Sequence, residues 1–325
     1  MEHFARLGRD VQQRWRKAGF RRAAFARLAA EALTAAELHR KVDVRALLAW
    51  YAHEGHRVEQ LDPHSLFGEP SITVWRNERF VVDVYFWLRP EIAIHDHAFC
   101  GAFTVLQGRS LHARYRFDEA EKIAPHLFVG ELALTEVAPL EEGDVEPIAE
   151  GRELVHRVWH WTYPTVSCAV RTVLKKGITS SNYEGPLAWR RLYQPIEFTK
   201  QLRVLGYLAT MGDPLRGEVL ESLVRHDDPL VALTYLIDYR SMLGDWPDDE
   251  VIGRAVKAMR KKHGRWVDAV PRWLEVAATP PPVTADPAER LETALKMTFS
   301  DPVQIDAWRK RLAGAGDAAS TGESD

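Results

Sequence analysis

Residues 92 to 108, IAIHDHAFCGAFTVLQG, set His95 and His97 on either side of Asp96 inside an apolar run that closes on Gly108. In an extended strand successive side chains alternate faces, so the two imidazoles point one way with Ala93 while Asp96 points the other. Two rigid nitrogen donors on one face need only one or two more to hold a transition metal, and neutral imidazole suits Zn, Fe, Cu or Ni. A second stretch, RELVHRVWHWTYPTVS, supplies candidates for the third ligand: His156 on a strand, and His160 beside the Thr162-Tyr163-Pro164 turn. His112 and His126 read as strand-packing or surface residues, and Cys100 as a small buried hydrophobe.

These histidines lie in a β-rich middle. From about Ser71 to Leu174 β-branched and aromatic residues dominate, in SITVWRN, RFVVDVYFWL, AIHDH, AFTVLQG, SLHARYRF, LFVGELALTEVAPL, RELVHRVWHW and PTVSCAVRTVL, with a tight turn at Arg76-Asn77-Glu78. Many short strands of this kind favour an antiparallel barrel or sandwich. Before them, Asp10 to Ala52 spaces its apolar residues as short helices do, and beyond Pro195 the helical period returns in FTKQLRVLGYLATM, LRGEVLESLVR, PLVALTYLIDYRSML, DEVIGRAVKAMRKKHGRWVDAV and AERLETALKM. The expected class is mixed, α+β. Residues 1–66 are N-terminal helices packing on the barrel, 67–195 the metal-binding barrel, 196–312 a separate helical domain, and 313–325 a disordered polar tail. TPPPVTADP reads as a linker, and Asp-Pro-Leu recurs at Asp213 and Asp228 as a faint repeat.

Composition narrows the function classes. With 46 acidic against 43 basic side chains the net charge is −3, so no nucleic-acid partner is expected. The absence of a leader-like apolar region and of a membrane-length apolar run leads to the expectation of a cytoplasmic protein with no membrane partner. The only cysteines, Cys100 and Cys168, exclude a disulfide framework and a four-cysteine zinc site within the chain.

The first histidine stretch resembles the first cupin motif: Gly, five residues, His-x-His, three or four residues, Glu, six residues, Gly. His95, His97 and Gly108 fall in place, Gly101 stands in the glutamate slot, and Arg89-Pro90 stands near the expected first glycine. Cupins that lack this glutamate and bind iron(II) through three histidines form the cysteine dioxygenase-like, or thiol dioxygenase, group. IHDHAFCGAFTVLQG and HRVWHWTYPTVS are similar to its two motifs, over about Ser71 to Leu174. The resemblance implies a jelly-roll barrel with Fe(II) on His95, His97 and His156, although the donors also fit Zn, Ni or Cu. It further implies O2 as cosubstrate and a small thiol or carboxylate-bearing substrate, with sulfur oxidised to a sulfinate. Arg76, in Arg76-Asn77, occupies the place of the arginine that pairs with the substrate carboxylate as a bidentate fork. Where the animal enzymes carry a Ser-x-His-x-Tyr relay, this chain has Ser167, Ala169 and Arg171. Arg171 then becomes a candidate anion clamp, and His160, Trp159 and Tyr163 candidates for shaping the pocket. The rival expectation is a non-catalytic metal-binding or ligand-sensing module whose C-terminal helices dock a partner protein or form a dimer.

Overall fold

The computed structural model describes residues 1–61, 68–88, 93–173, 180–190, 196–243, 249–270 and 286–319. Strands β1 (Ser71–Arg76), β2 (Phe80–Trp87), β9 (Thr165–Thr172), β4 (Gly101–Gln107) and β7 (Val145–Ile148) form one sheet in that order. A second sheet closes on itself in the order β10 (Ser181–Glu184), β11 (Leu187–Arg190), β6 (Leu127–Leu140), β5 (Ser110–Ala124), β8 (Gly151–His160) and β3 (Ile94–His97). Every pairing is antiparallel. With helices at both ends of the chain, the architecture is the mixed α+β class that the sequence pattern indicates.

Alternation along the first sheet assigns its two faces. Ile72, Val74, Phe80, Val82, Val84, Val166, Cys168 and Val170 join the core formed with the N-terminal helices α1 (Glu2–Lys17) and α2 (Phe25–Ala36). On α1 the buried residues Phe4, Leu7, Val11 and Trp15 follow the helical period, and each such side chain contributes roughly 1.5–3 kcal/mol on burial. A Cβ at Gly8 would lie 2.4 Å from the Trp75 ring, so a glycine is what lets α1 sit this close to β1. Helix α3 (Val44–Glu54) starts at Asp43, whose carboxylate accepts from the backbone of Arg45 and Ala46.

The opposite face of the first sheet, with Tyr85, Phe103, Val105, Ile148 and Ala169, meets Leu140, Leu154 and Val158 in the interior between the sheets. Beyond the second sheet stand α4 (Ile196–Thr210), α5 (Leu215–Leu223), α6 (Pro229–Leu243) and α7 (Asp249–His263), whose Leu205, Leu220, Leu233 and Leu236 share a core with Leu127, Leu187 and Trp189. Helices α8 (Pro287–Thr298) and α9 (Pro302–Ala319) cover Leu111, Trp159 and Trp161. Among the described residues, the C-terminal helices thus share apolar cores with the outer strands that they cover.

Several elements differ from expectation. Strands β7, β10 and β11 have no counterpart in the expected pattern, and α9 overruns the expected helical segment, which ends at residue 312. Helix α9 runs to Ala319, into the segment read as a disordered tail, because Ala-rich sequence keeps helical propensity without apolar periodicity. Residues 320–325 and most of the Pro-rich linker lie outside the described residues. The Asp-Pro-Leu echo is local helix-start chemistry: Asp213 and Asp228 accept from the backbone of Leu215 and Leu230 as α5 and α6 begin. Among the described residues, no helix is long and apolar enough to cross a membrane.

Candidate metal centre

Strand β3 pairs with β8 so that His95 stands opposite His156, and the pleat carries His97 to the same face as His95. Their ring centroids are 4.8–4.9 Å apart, and one nitrogen from each of the three lies within 4.8 Å of the others. All three residues are buried. His97 Nε2 lies 2.8 Å from His156 Nε2, a little inside the ~3.0–3.4 Å that separates two nitrogens bound at about 2.1 Å to one ion at 90° or tetrahedral angles. His95 Nδ1 lies 3.1 Å from the Ala93 carbonyl, the partner that holds a proton on Nδ1 and leaves Nε2 as the donor. Burial, reinforced by the neighbouring imidazoles, drives His97 and His156 well below the ordinary histidine range. Both rings are thus neutral, the form that binds metals. Three buried imidazoles whose nitrogens converge on one point can hold a metal ion. Asp96 faces away, accepting from Tyr183 Oη at 2.8 Å and from the Ser181 backbone at 2.7 Å.

One further histidine joins the cluster. His112 on β5, 1% exposed, places Nε2 2.9 Å from His156 Nδ1, and its own Nδ1 lies 3.8 Å from Glu146 Oε2. Burial is the main reason that its pKa falls to about 3. Read from sequence as strand packing, His112 instead touches a candidate ligand. A lone histidine in SLHARYRF gives no sign of this, and only the β5–β8 register reveals it.

Arg171 reaches the same interior. Its Nε donates to Asp83 Oδ2 at 2.8 Å and to Tyr85 Oη at 3.2 Å, while Asp83 Oδ1 accepts from Thr73 at 2.7 Å. The guanidinium lies 5.3 Å from the Phe99 ring, which in turn stands 4.6 Å from His97. Burial raises the Tyr85 phenol above its ordinary range, so it is protonated at neutral pH. None of Asp83, Tyr85 or Phe99 was singled out in the sequence, where they resemble ordinary strand residues.

The other expected substrate residues are placed differently. Arg76 pairs with Glu59 at 2.8 Å and lines a cleft with Arg57, Val58, Trp75, Asn77 and Glu78. Asn77 binds Gln12 of α1, so the Arg-Asn turn is engaged with the N-terminal helices and not with the histidines. Tyr163 is 48% exposed on its turn, its ring 5.6 Å from the Arg290 guanidinium. His160 is buried but separate from the three-histidine group. It stacks on Trp87 at 4.4 Å, its Nδ1 lies 2.8 Å from Ser110 Oγ, and burial lowers its pKa to about 3. Trp87 also donates to Ser167 at 2.9 Å. Trp159 packs outward against the C-terminal helices.

Gly101 fits its slot for a backbone reason. A Cβ there would lie 2.1 Å from the Val170 carbonyl oxygen, so β4 and β9 leave no room for a carboxylate-bearing side chain.

No family model matches the chain, and no curated protein matches it. Among solved structures, a cupin superfamily protein from Desulfitobacterium hafniense is similar over 38% of this chain and 88% of its own, at 12% identity and a TM-score of 0.22. A conserved protein with a double-stranded β-helix domain from Klebsiella pneumoniae is similar over 46% of this chain and 98% of its own, at 16% identity and a TM-score of 0.24. At such scores neither likeness bears on function, and the architecture rests on the strand order itself.

Proposed function

We propose that the chain is a cupin-type, mononuclear non-haem iron oxygenase of the thiol dioxygenase kind. The observation that carries this reading is the convergence of His95, His97 and His156 on one point inside the barrel. Ferrous iron bound there would supply the redox chemistry for O2 and open positions for an anionic substrate. The proposed substrate is a small thiol that also bears a carboxylate, R–S⁻ + O2 giving R–SO2⁻, so both oxygen atoms go onto sulfur and no outside reductant is needed. Arg171 is the proposed carboxylate partner. Asp83 and Tyr85 occupy its Nε, which orients the fork and leaves the Nη edge for the substrate. Phe99 and the apolar interior keep bulk water from the reacting sulfur. A reducing cytoplasm is the proposed location.

The test is anaerobic reconstitution with Fe(II), elemental analysis, and oxygen uptake on adding L-cysteine, 3-mercaptopropionate or cysteamine. The triple variant His95→Ala, His97→Ala, His156→Ala is carried in parallel. Stoichiometric iron and thiol-dependent uptake are expected only in the parent. Equal iron in both proteins overturns the proposal, and iron without uptake for any thiol leaves a binding module.

A further inference from the structure

A fourth buried imidazole, His112, touches the three-histidine group, and its position is informative. His97 Nε2 and His156 Nε2, 2.8 Å apart, can share a proton or a cation. When they share a cation, each Nε2 gives its lone pair, and neutral His156 must carry its proton on Nδ1. That proton faces His112 Nε2 at 2.9 Å, so His112 must accept there and hold its own proton on Nδ1. His112 Nδ1 in turn faces the Glu146 carboxylate at 3.8 Å, longer than a hydrogen bond but close enough to favour a proton on that nitrogen. Glu146 is itself held by Arg114, which also binds Glu136 at 3.0 Å. The chain of donors then has a single direction, from His156 to His112 toward Glu146.

We propose that His112 is a positioning residue of the metal centre: it fixes His156 in the Nδ1–H tautomer and links the centre to the carboxylate of Glu146. The inference rests on the three-histidine reading. It also accounts for how a site can lack a carboxylate ligand and still have one close by. The Val170 carbonyl bars any side chain at Gly101, whereas Glu146 stands on β7 beside β4 and reaches the ligand His156 through one imidazole, His112. A hydrogen-bonded partner of this kind holds the ligand ring in place and raises its basicity.

The test uses Zn(II), which is diamagnetic and needs no turnover. Zn(II) affinity is measured by chelator competition in the full chain, in His112→Leu, in His112→Gln and in the control His160→Leu. A 10–100-fold loss is expected in His112→Leu. His112→Gln should regain most of it, because the amide oxygen can accept from His156 Nδ1, and His160→Leu should stay near the parent value. In the Zn(II)-loaded parent, imidazole nitrogen-15 shifts should show His156 protonated on Nδ1 and metal-bound through Nε2. If the parent binds no Zn(II), the three-histidine reading falls and takes this inference with it. If the parent binds Zn(II) but His112→Leu binds equally well, or His112→Gln is as weak as His112→Leu, the role of His112 alone is overturned. Should His112→Leu fail to fold, the nitrogen-15 assignment decides: His156 bound through Nδ1 overturns the proposal.

Discussion

A buried imidazole that must stay neutral ties stability to pH, and His160 isolates that effect because it stands apart from the three-histidine group. Unfolded, it titrates near 6.5; folded, its pKa is about 3. Above the unfolded value both states are neutral and the full stability is present. As pH falls from about 6.5 toward 3, only the unfolded chain takes up the proton, and stability declines by up to about 1.4 kcal/mol per pH unit. Between pH 7 and pH 5, with chelator present throughout, His160→Gln should lose about 2 kcal/mol less than the parent in urea unfolding. Equal losses would show that His160 is not held neutral. Single residues were unevenly legible in the sequence. His95, His97 and His156 declare themselves by spacing and by their apolar runs. Arg76 misleads, because its partner Glu59 lies in an upstream segment with no pattern to flag it. His112 and Asp83 become meaningful only once the strands are in register.

At the scale of elements, the ladder between β4 and β9 sets what the barrel can present. Gly101 pairs with Arg171, and the space above its Cα is filled by the Val170 carbonyl. Gly101→Ala should therefore force the strands apart and destabilise the protein by about 1–3 kcal/mol, seen as a lower urea midpoint. Gly101→Glu should be worse, and should not create a fourth metal ligand. An unchanged midpoint for Gly101→Ala would mean the ladder is looser than the geometry states. The long strands were readable because β-branched and aromatic residues fill them, with β2 and β9 buried almost throughout. Strand β7 hid behind Pro147, and β10 and β11, four residues each, are too short to show an alternating pattern. Yet β10 matters to the site: Asn182 pairs with His95, and Tyr183 anchors Asp96, fixing the backbone between the two histidines.

For the whole molecule, the question is whether the barrel stands without its C-terminal helices. Helical periodicity alone suggested a separate domain, since a helix's own pattern shows that it has an apolar face but not what covers it. The second sheet answers with Leu127, Leu187 and Trp189 against α4–α7, and Leu111, Trp159 and Trp161 against α8 and α9. Arg290 of α8 adds a polar link, its buried guanidinium donating to the His160 carbonyl at 2.7 and 3.0 Å and to the Leu88 carbonyl at 3.3 Å. Exposing six large apolar side chains at roughly 1.5–3 kcal/mol each forfeits on the order of 10 kcal/mol, comparable to the entire stability of an ordinary domain. A chain ended at residue 195 should therefore aggregate or lack a cooperative thermal transition, and should bind Zn(II) far more weakly than the full chain. A soluble truncated barrel with a sharp transition and undiminished Zn(II) affinity would show instead that the helices are dispensable to the site. Because Arg290 donates to the His160 carbonyl, α8 is tied by hydrogen bonds to the end of β8 as well as packed against the second sheet.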